Sequence, residues 1–155
     1  MKIKPAAETT AATTLLGDWY ANLLYVGRLQ LVLAVSERTF LSLVVPAAPS
    51  ESIALRLRDR AREVLHTVGV NEASIARELS AMEHVKYGKA TNRQAIGVLV
   101  DFARLLPHYI ERTPSLITVS LKLADTPCGP LYKSTSFPNR ATLALFAACT
   151  DGVVN

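Results

Sequence analysis

Between Tyr20 and Val45 the chain is built from short apolar runs, ANLLYV, LQLVLAV and TFLSLVV, separated by Gly27-Arg28 and by Ser36-Glu37-Arg38. A two-residue link opening on glycine suits a II′ hairpin, because its first position needs φ > 0. The runs therefore predict a three-stranded antiparallel meander over about residues 20–45. Leu29, Leu31, Leu33 and Val35 share one face of it, while Val32 and Ala34 leave the other face apolar as well. A sheet apolar on both faces has to be covered on both, so helices are expected on each side.

After Pro46 and Pro49 the period changes to that of helices. Ile53, Leu57, Ala61, Val64, Leu65 and Val68 make an apolar stripe that starts at Ser50 or Ser52, runs to about Thr67 and stops at Gly69. Asn71 is placed to cap a second helix carrying Ile75, Leu79 and Met82. A short strand is expected in EHVKY. Thr91 and Gln94 have the spacing of a capping box ahead of a third helix, whose buried stripe is Ile96, Leu99, Ala103, Leu106 and Ile110. Pro107 is expected to kink or end that helix, since it removes a hydrogen bond and crowds the preceding turn. Thr113-Pro114 reads as the next start, with proline at the first helical position ahead of Leu116, Val119 and Leu123. A Pro-rich loop, DTPCGPLYKSTSFPN, leads to a last short helix from Pro138 to Ala148. Residues 1–15 look like an irregular lead-in, with Lys2-Ile3-Lys4 available as a short edge strand, and 16–155 like a single domain. The fold class is α+β: a small antiparallel sheet of three to five strands packed by four to five helices.

Composition narrows the function classes. A chain of 155 residues that is half apolar and 19% charged can bury a core and does not resemble a disordered segment. No apolar run approaches the ~18–20 residues of a membrane helix. PAAETTAATT after Lys2 and Lys4 has no signal-peptide core. The reading is a cytoplasmic protein with no membrane contact. A net charge of +4 permits an acidic partner without requiring one. RLRDRAR concentrates four arginines in residues 56–62, but a helix places Arg56 and Arg60 on one flank of the stripe and Arg58 and Arg62 on the other. That split disfavours a phosphate-tracking surface, so nucleic-acid binding ranks third.

Catalytic and metal signals are weak. Cys128 and Cys149 form no CxxC pair, and HExxH, P-loop and GxGxxG patterns are missing. Both cysteines are read as reduced thiols. Cys128 lies in a Pro/Gly loop with an exposed thiol as one option, but no spacing to His66, His84 or His108 indicates a dyad. Glu78, Glu83 and His84 span different elements, so no metal and no cofactor are expected.

Two polar clusters remain. In an extended LGDWYANLL, Asp18, Tyr20 and Asn22 point to one side, and Trp19, Ala21 and Leu23 to the other. Trp19 then anchors the core while the polar trio shares a face, either as a binding patch or as turn and loop bonds local to Gly17. The second cluster is the helix start at Thr91, Asn92 and Arg93, with Gly97, Asp101 and Arg104 following on its polar face. Glycine within a helix costs roughly 1 kcal/mol against alanine, so Gly97 marks either a close approach or an ordinary solvated face. Arg93 at a helix N-terminus suits an anion.

Gly17, Asp18, Trp19, Ala21, Asn22, Leu23 and Leu24, then Glu37-Arg38-Thr39, Thr91-Asn92-Arg93, Ile96-Gly97 and Thr126-Pro127-Cys128, together form a recurring pattern. It resembles an uncharacterised bacterial family of unknown function with a GDW-x-AN-L-L segment, an ERT turn and a TNNR-like helix start. The resemblance spans about residues 15–130. It implies no activity, but it does imply that the two polar clusters belong to one domain design and adjoin in space. It also implies a strand ahead of the GDW segment, which the polar lead-in here would shorten, replace or lack.

A non-enzymatic interaction or regulatory module with a protein partner is the favoured reading, using the polar end of the first strand and the Thr91 helix start. The alternative is an enzyme acting on a small molecule or nucleotide, with Asp18 as base or metal ligand and Arg93 holding an anion. The oligomeric state is open.

Overall fold

The computed structural model describes residues 2–5, 14–83, 85–113 and 115–153. The meander forms as expected: β2 (Trp19–Val26), β3 (Leu29–Ser36) and β4 (Ser42–Pro46) pair antiparallel in sequence order. Gly27 has φ +61° in the β2–β3 turn, while Arg28 keeps an ordinary φ, which matches a II′ link. Two further strands, β1 (Lys2–Pro5) and β5 (Val85–Gly88), complete a five-stranded sheet of order β4-β3-β2-β1-β5. The strand ahead of the GDW segment is therefore present. Lys2–Pro5 is not an edge strand but lies between β2 and β5, antiparallel to both. Residues 6–13 of the lead-in lie outside the described residues.

Helices cover both faces, as the doubly apolar β3 demands. Trp19, Ala21, Val32, Ala34, Leu43 and Val45 meet α1 (Ile53–Val68), α2 (Glu72–Ala81) and Phe146 of α5 (Pro138–Val153). On the other face, Tyr20, Leu31, Leu33, Val35 and Val44 meet α3 (Arg93–Arg112) through Val98, Leu99, Phe102 and Leu106. The short α4 (Leu116–Ala124) lies along β4 and feeds both cores, Ala124 into the first and Val119 with Leu123 into the second.

Several caps follow the sequence and several correct it. Gly69 ends α1 at φ +115°, and Asn71 Oδ1 accepts from Ser74 N–H at 2.8 Å to start α2. At α3 the cap is Asn92 rather than Thr91, with Oδ1 accepting from Ala95 N–H at 3.1 Å. Position N3 is then Ala95, which cannot reach back to the cap residue as a capping-box Gln would. The Tyr20 hydroxyl takes that role, accepting from Asn92 N–H at 3.0 Å. Pro107 does not end α3. It is exposed, and the buried Phe102 and Leu106 before it and the partly buried Tyr109 and Ile110 after it pack on one core. That packing carries the helix across the bond proline cannot make. Pro114 lies outside the described residues, and α4 starts later than expected, with Ser115 as its cap. The last helix runs past Ala148 to Val153.

Candidate functional site

The two sequence clusters meet at the start of α3. Tyr20 shares its side of β2 with Asn22, as alternation requires, but helix α3 roofs that side, so Tyr20 is only 1% exposed. Its phenol is not a free polar group; it completes the α3 N-terminus through Asn92. Asn22 is half-buried opposite Leu33, and Thr91 and Arg93 are exposed at the helix start. Gly97, Asp101 and Arg104 face solvent, and a Cβ built on Gly97 would meet nothing within 4 Å. No element approaches that glycine among the described residues, and the open face is an ordinary solvated one.

The start of β2 is locked to the turn after β3. Gly17 has φ +81°, and a Cβ on it would fall 2.6 Å from Glu37 Cγ. Only glycine suits both conditions. Asp18, half-buried, receives Glu37 N–H on its carbonyl at 2.9 Å, and Arg38 Nη1 donates to Leu15 O at 3.1 Å. Thr39 Oγ1 accepts from Thr142 of α5 at 2.9 Å and pairs with Ser36 Oγ at 3.1 Å, all three hydroxyls being buried. The residues of GDW and ERT thus interlock, and ERT also docks α5. Trp19 is buried as expected, and its indole Nε1 has no hydrogen-bond partner among the described residues.

Sequence reasoning missed Glu78, which was weighed only as a metal ligand. It is 4% exposed on α2, and its carboxylate accepts from Leu15 N–H at 2.8 Å and Leu16 N–H at 3.2 Å. Burial raises its pKa above the ordinary 4.5, opposed by those two N–H donors and by the positive charge of Arg38. The signal was a carboxylate inside the Ile75–Leu79–Met82 stripe, where only a partnered one survives burial. Beside it, Leu15, Ser74, Arg77, Glu78 and Cys149 line a hollow of about 170 Å³. Among the described residues no group of three His, Cys, Asp or Glu side chains is placed to hold a metal.

Cys128 is buried rather than exposed, because its loop folds back through Cys128 N–H to Ser136 O at 2.8 Å. Desolvation, with Asp101 nearby, pushes its thiol up to about 11, so it is a poor nucleophile.

The outer side of β4 and the later part of β2 differ sharply. Val44 sits opposite Leu33 on β4 and directs its amide outward. There Ser120 Oγ accepts from Val44 N–H at 2.9 Å, Arg60 Nε donates to Val44 O at 3.2 Å, and Arg56 Nε donates to Pro46 O at 3.0 Å. The arginines that resembled a nucleic-acid stripe therefore seal a strand edge on one flank. On the other flank Arg58 Nε donates to Leu79 O of α2, and Arg62 pairs with Asp59. On β2 the situation is opposite. Among the described residues, pairing with β1 reaches Tyr20 and no strand continues it along Ala21–Val26. Leu23 shares its side of β2 with Trp19, but toward the hairpin end it is 53% exposed where Trp19 is buried. Tyr25 is 70% and Leu29 49% exposed around the same tip.

The family described as a domain of unknown function (DUF6933) matches residues 1–141. The chain belongs to this family. The matched stretch takes in the whole sheet, both polar clusters and the start of α5. No match was found among curated proteins or among solved structures. The DUF6933 assignment carries no activity to place on these residues, so their chemistry has to be read from the geometry alone. No helix of the described residues is long and apolar enough to cross a membrane.

Proposed function

We propose that this DUF6933 domain is a non-catalytic interaction module that takes an uncharged, extended polypeptide segment onto the open side of β2. The observation that carries the reading is the contrast between the outer side of β4 and the stretch of β2 beyond its β1 pairing. On β4 the outward N–H and carbonyl of Val44 and the carbonyl of Pro46 are bonded by Ser120, Arg60 and Arg56, whereas among the described residues Ala21–Val26 has no strand partner, and it carries no charge. Natural sheets blunt such an edge with charge, proline or a cover, and one left neutral is a template for strand addition. Asn22 on one face, with the exposed Thr91 and Arg93 at the nearby helix start, supplies polar contacts; Leu23 and Tyr25 supply apolar ones on the other. In this reading Asn22, Thr91 and Arg93 are contacts of the docked segment, and Tyr20 is not.

The test is amide protection. Val26 and Leu29 close the two-residue hairpin as a hydrogen-bonded pair, so alternation turns the amides of Ala21, Leu23 and Tyr25 outward. Short Thr/Val-rich peptides should slow exchange at those three amides, with smaller effects elsewhere. Leu23→Pro deletes an outward N–H without touching the β2–β3 ladder and should abolish the protection. Binding that protects other regions, or that is indifferent to Leu23→Pro, would sink the reading.

A further inference from the structure

We infer that the segment taken up by β2 is the same strand of a second copy, paired antiparallel about a two-fold axis at Leu24. This rests on the strand-docking reading above and specifies its occupant. Among the described residues the open window runs from the β1 pairing at Tyr20 to the turn at Gly27, which leaves Asn22–Val26 clear of both ends. A two-fold axis at Leu24 sets Asn22 against the partner copy's position 26, Leu23 against position 25, and Leu24 against itself.

The phase agrees with the register. Leu23 and Tyr25 direct their amides outward, so the 23–25 contacts become hydrogen-bonded pairs and the 24–24 contact a non-hydrogen-bonded one. Shifting the axis by half a residue would match outward amides with inward ones. On one face, each exposed Leu23 meets an exposed Tyr25 of the other copy, an aliphatic–aromatic cross-strand pair. No residue from Trp19 to Gly27 is charged. A two-fold axis brings like residues together, so a charged strand would repel its copy and this one does not. A two-fold contact uses the same stretch of β2 in both copies and so closes on itself as a dimer, while on β4 Ser120, Arg56 and Arg60 already occupy Val44 N–H and the carbonyls of Val44 and Pro46.

The experiment is sedimentation of the full chain over a wide concentration range, with disulfide trapping to fix the register. The native chain is expected to shift from monomer to dimer mass, and Leu23→Pro and Tyr25→Lys to remain monomeric while keeping native circular dichroism. A non-hydrogen-bonded pair has Cα atoms about 4.5 Å apart, within disulfide reach. In a Cys149→Ser background, Leu24→Cys should therefore cross-link to itself under mild oxidation, and Leu23→Cys or Tyr25→Cys should not. A chain that stays monomeric at every concentration overturns the two-fold pairing. If Thr/Val-rich peptides still protect Ala21, Leu23 and Tyr25 in that monomer, the docking reading stands without it; if they do not, both fall. A dimer that survives Leu23→Pro, or that traps through position 23 or 25 instead of 24, overturns the pairing as well.

Discussion

Single residues in this fold are chosen more for backbone geometry than for chemistry. Gly17 combines φ +81° with Glu37 Cγ lying where a Cβ would stand. Gly17→Ala should therefore destabilise the protein by about 1–3 kcal/mol, the usual cost of holding a strained backbone, measurable as a lowered urea midpoint. Tyr20 makes a different point. The period-two pattern correctly grouped it with Asn22, but alternation assigns a side chain to a face and is blind to what covers that face. Tyrosine has an apolar ring and a polar tip, so it can be core and hydrogen-bond partner together. Tyr20→Phe keeps the ring and leaves Asn92 N–H unpaired; a loss of about 1–3 kcal/mol is expected, with hydrogen exchange accelerated at the α3 start. The two thiols should separate cleanly in alkylation. Half-exposed Cys149 should label in the native protein, while buried Cys128 should label only once unfolding exposes it, as intact-mass measurement would show.

At the level of elements, existence was legible and boundaries were less so. The meander, the first two helices and the helix beginning at Leu116 are all written in apolar spacing that packing then uses. Adjacent residues able to do one job blur the ends: Thr91 and Asn92 can both cap, and Tyr20, seventy-odd residues away, decides for Asn92. β1 was legible as a possible strand but not in its place, since Lys2-Ile3-Lys4 has one apolar residue and nothing local says that it pairs on both sides. The edge-sealing arginines were legible as two flanks of a helix, but nothing local said that one flank would find the carbonyls of β4. Pro107 shows packing overriding propensity. Exposed and within α3, it forfeits one helical hydrogen bond, so Pro107→Ala should stabilise the domain by up to ~3 kcal/mol and raise Tm.

For the whole molecule, the question is what ties two helical layers to one thin sheet, and Glu78 is part of the answer. Its carboxylate joins α2 to Leu15 and Leu16, the segment leading into β2, while Arg38 holds Leu15 O from the turn after β3. Three parts of the chain distant in sequence are fixed at this point. The bonds favour the charged carboxylate, yet desolvation outweighs them and the pKa is raised above 4.5. As pH climbs past 4.5, the unfolded chain gives up this proton before the folded one does. The contribution of Glu78 to stability is consequently full below pH 4.5 and is lost as pH rises through the higher folded value. Glu78→Gln cannot ionise, so the stability of the native protein minus that of the variant should fall with rising pH across this window. Its steepest slope is at most about 1.4 kcal/mol per pH unit, the limit for one proton. Urea midpoints of both proteins, taken in half-unit steps upward from about pH 4, measure that difference directly, and other carboxylates cancel from it. A difference that stays flat, or that grows with pH, would mean that the two backbone N–H donors and Arg38 outweigh burial and that Glu78 is held in its charged form.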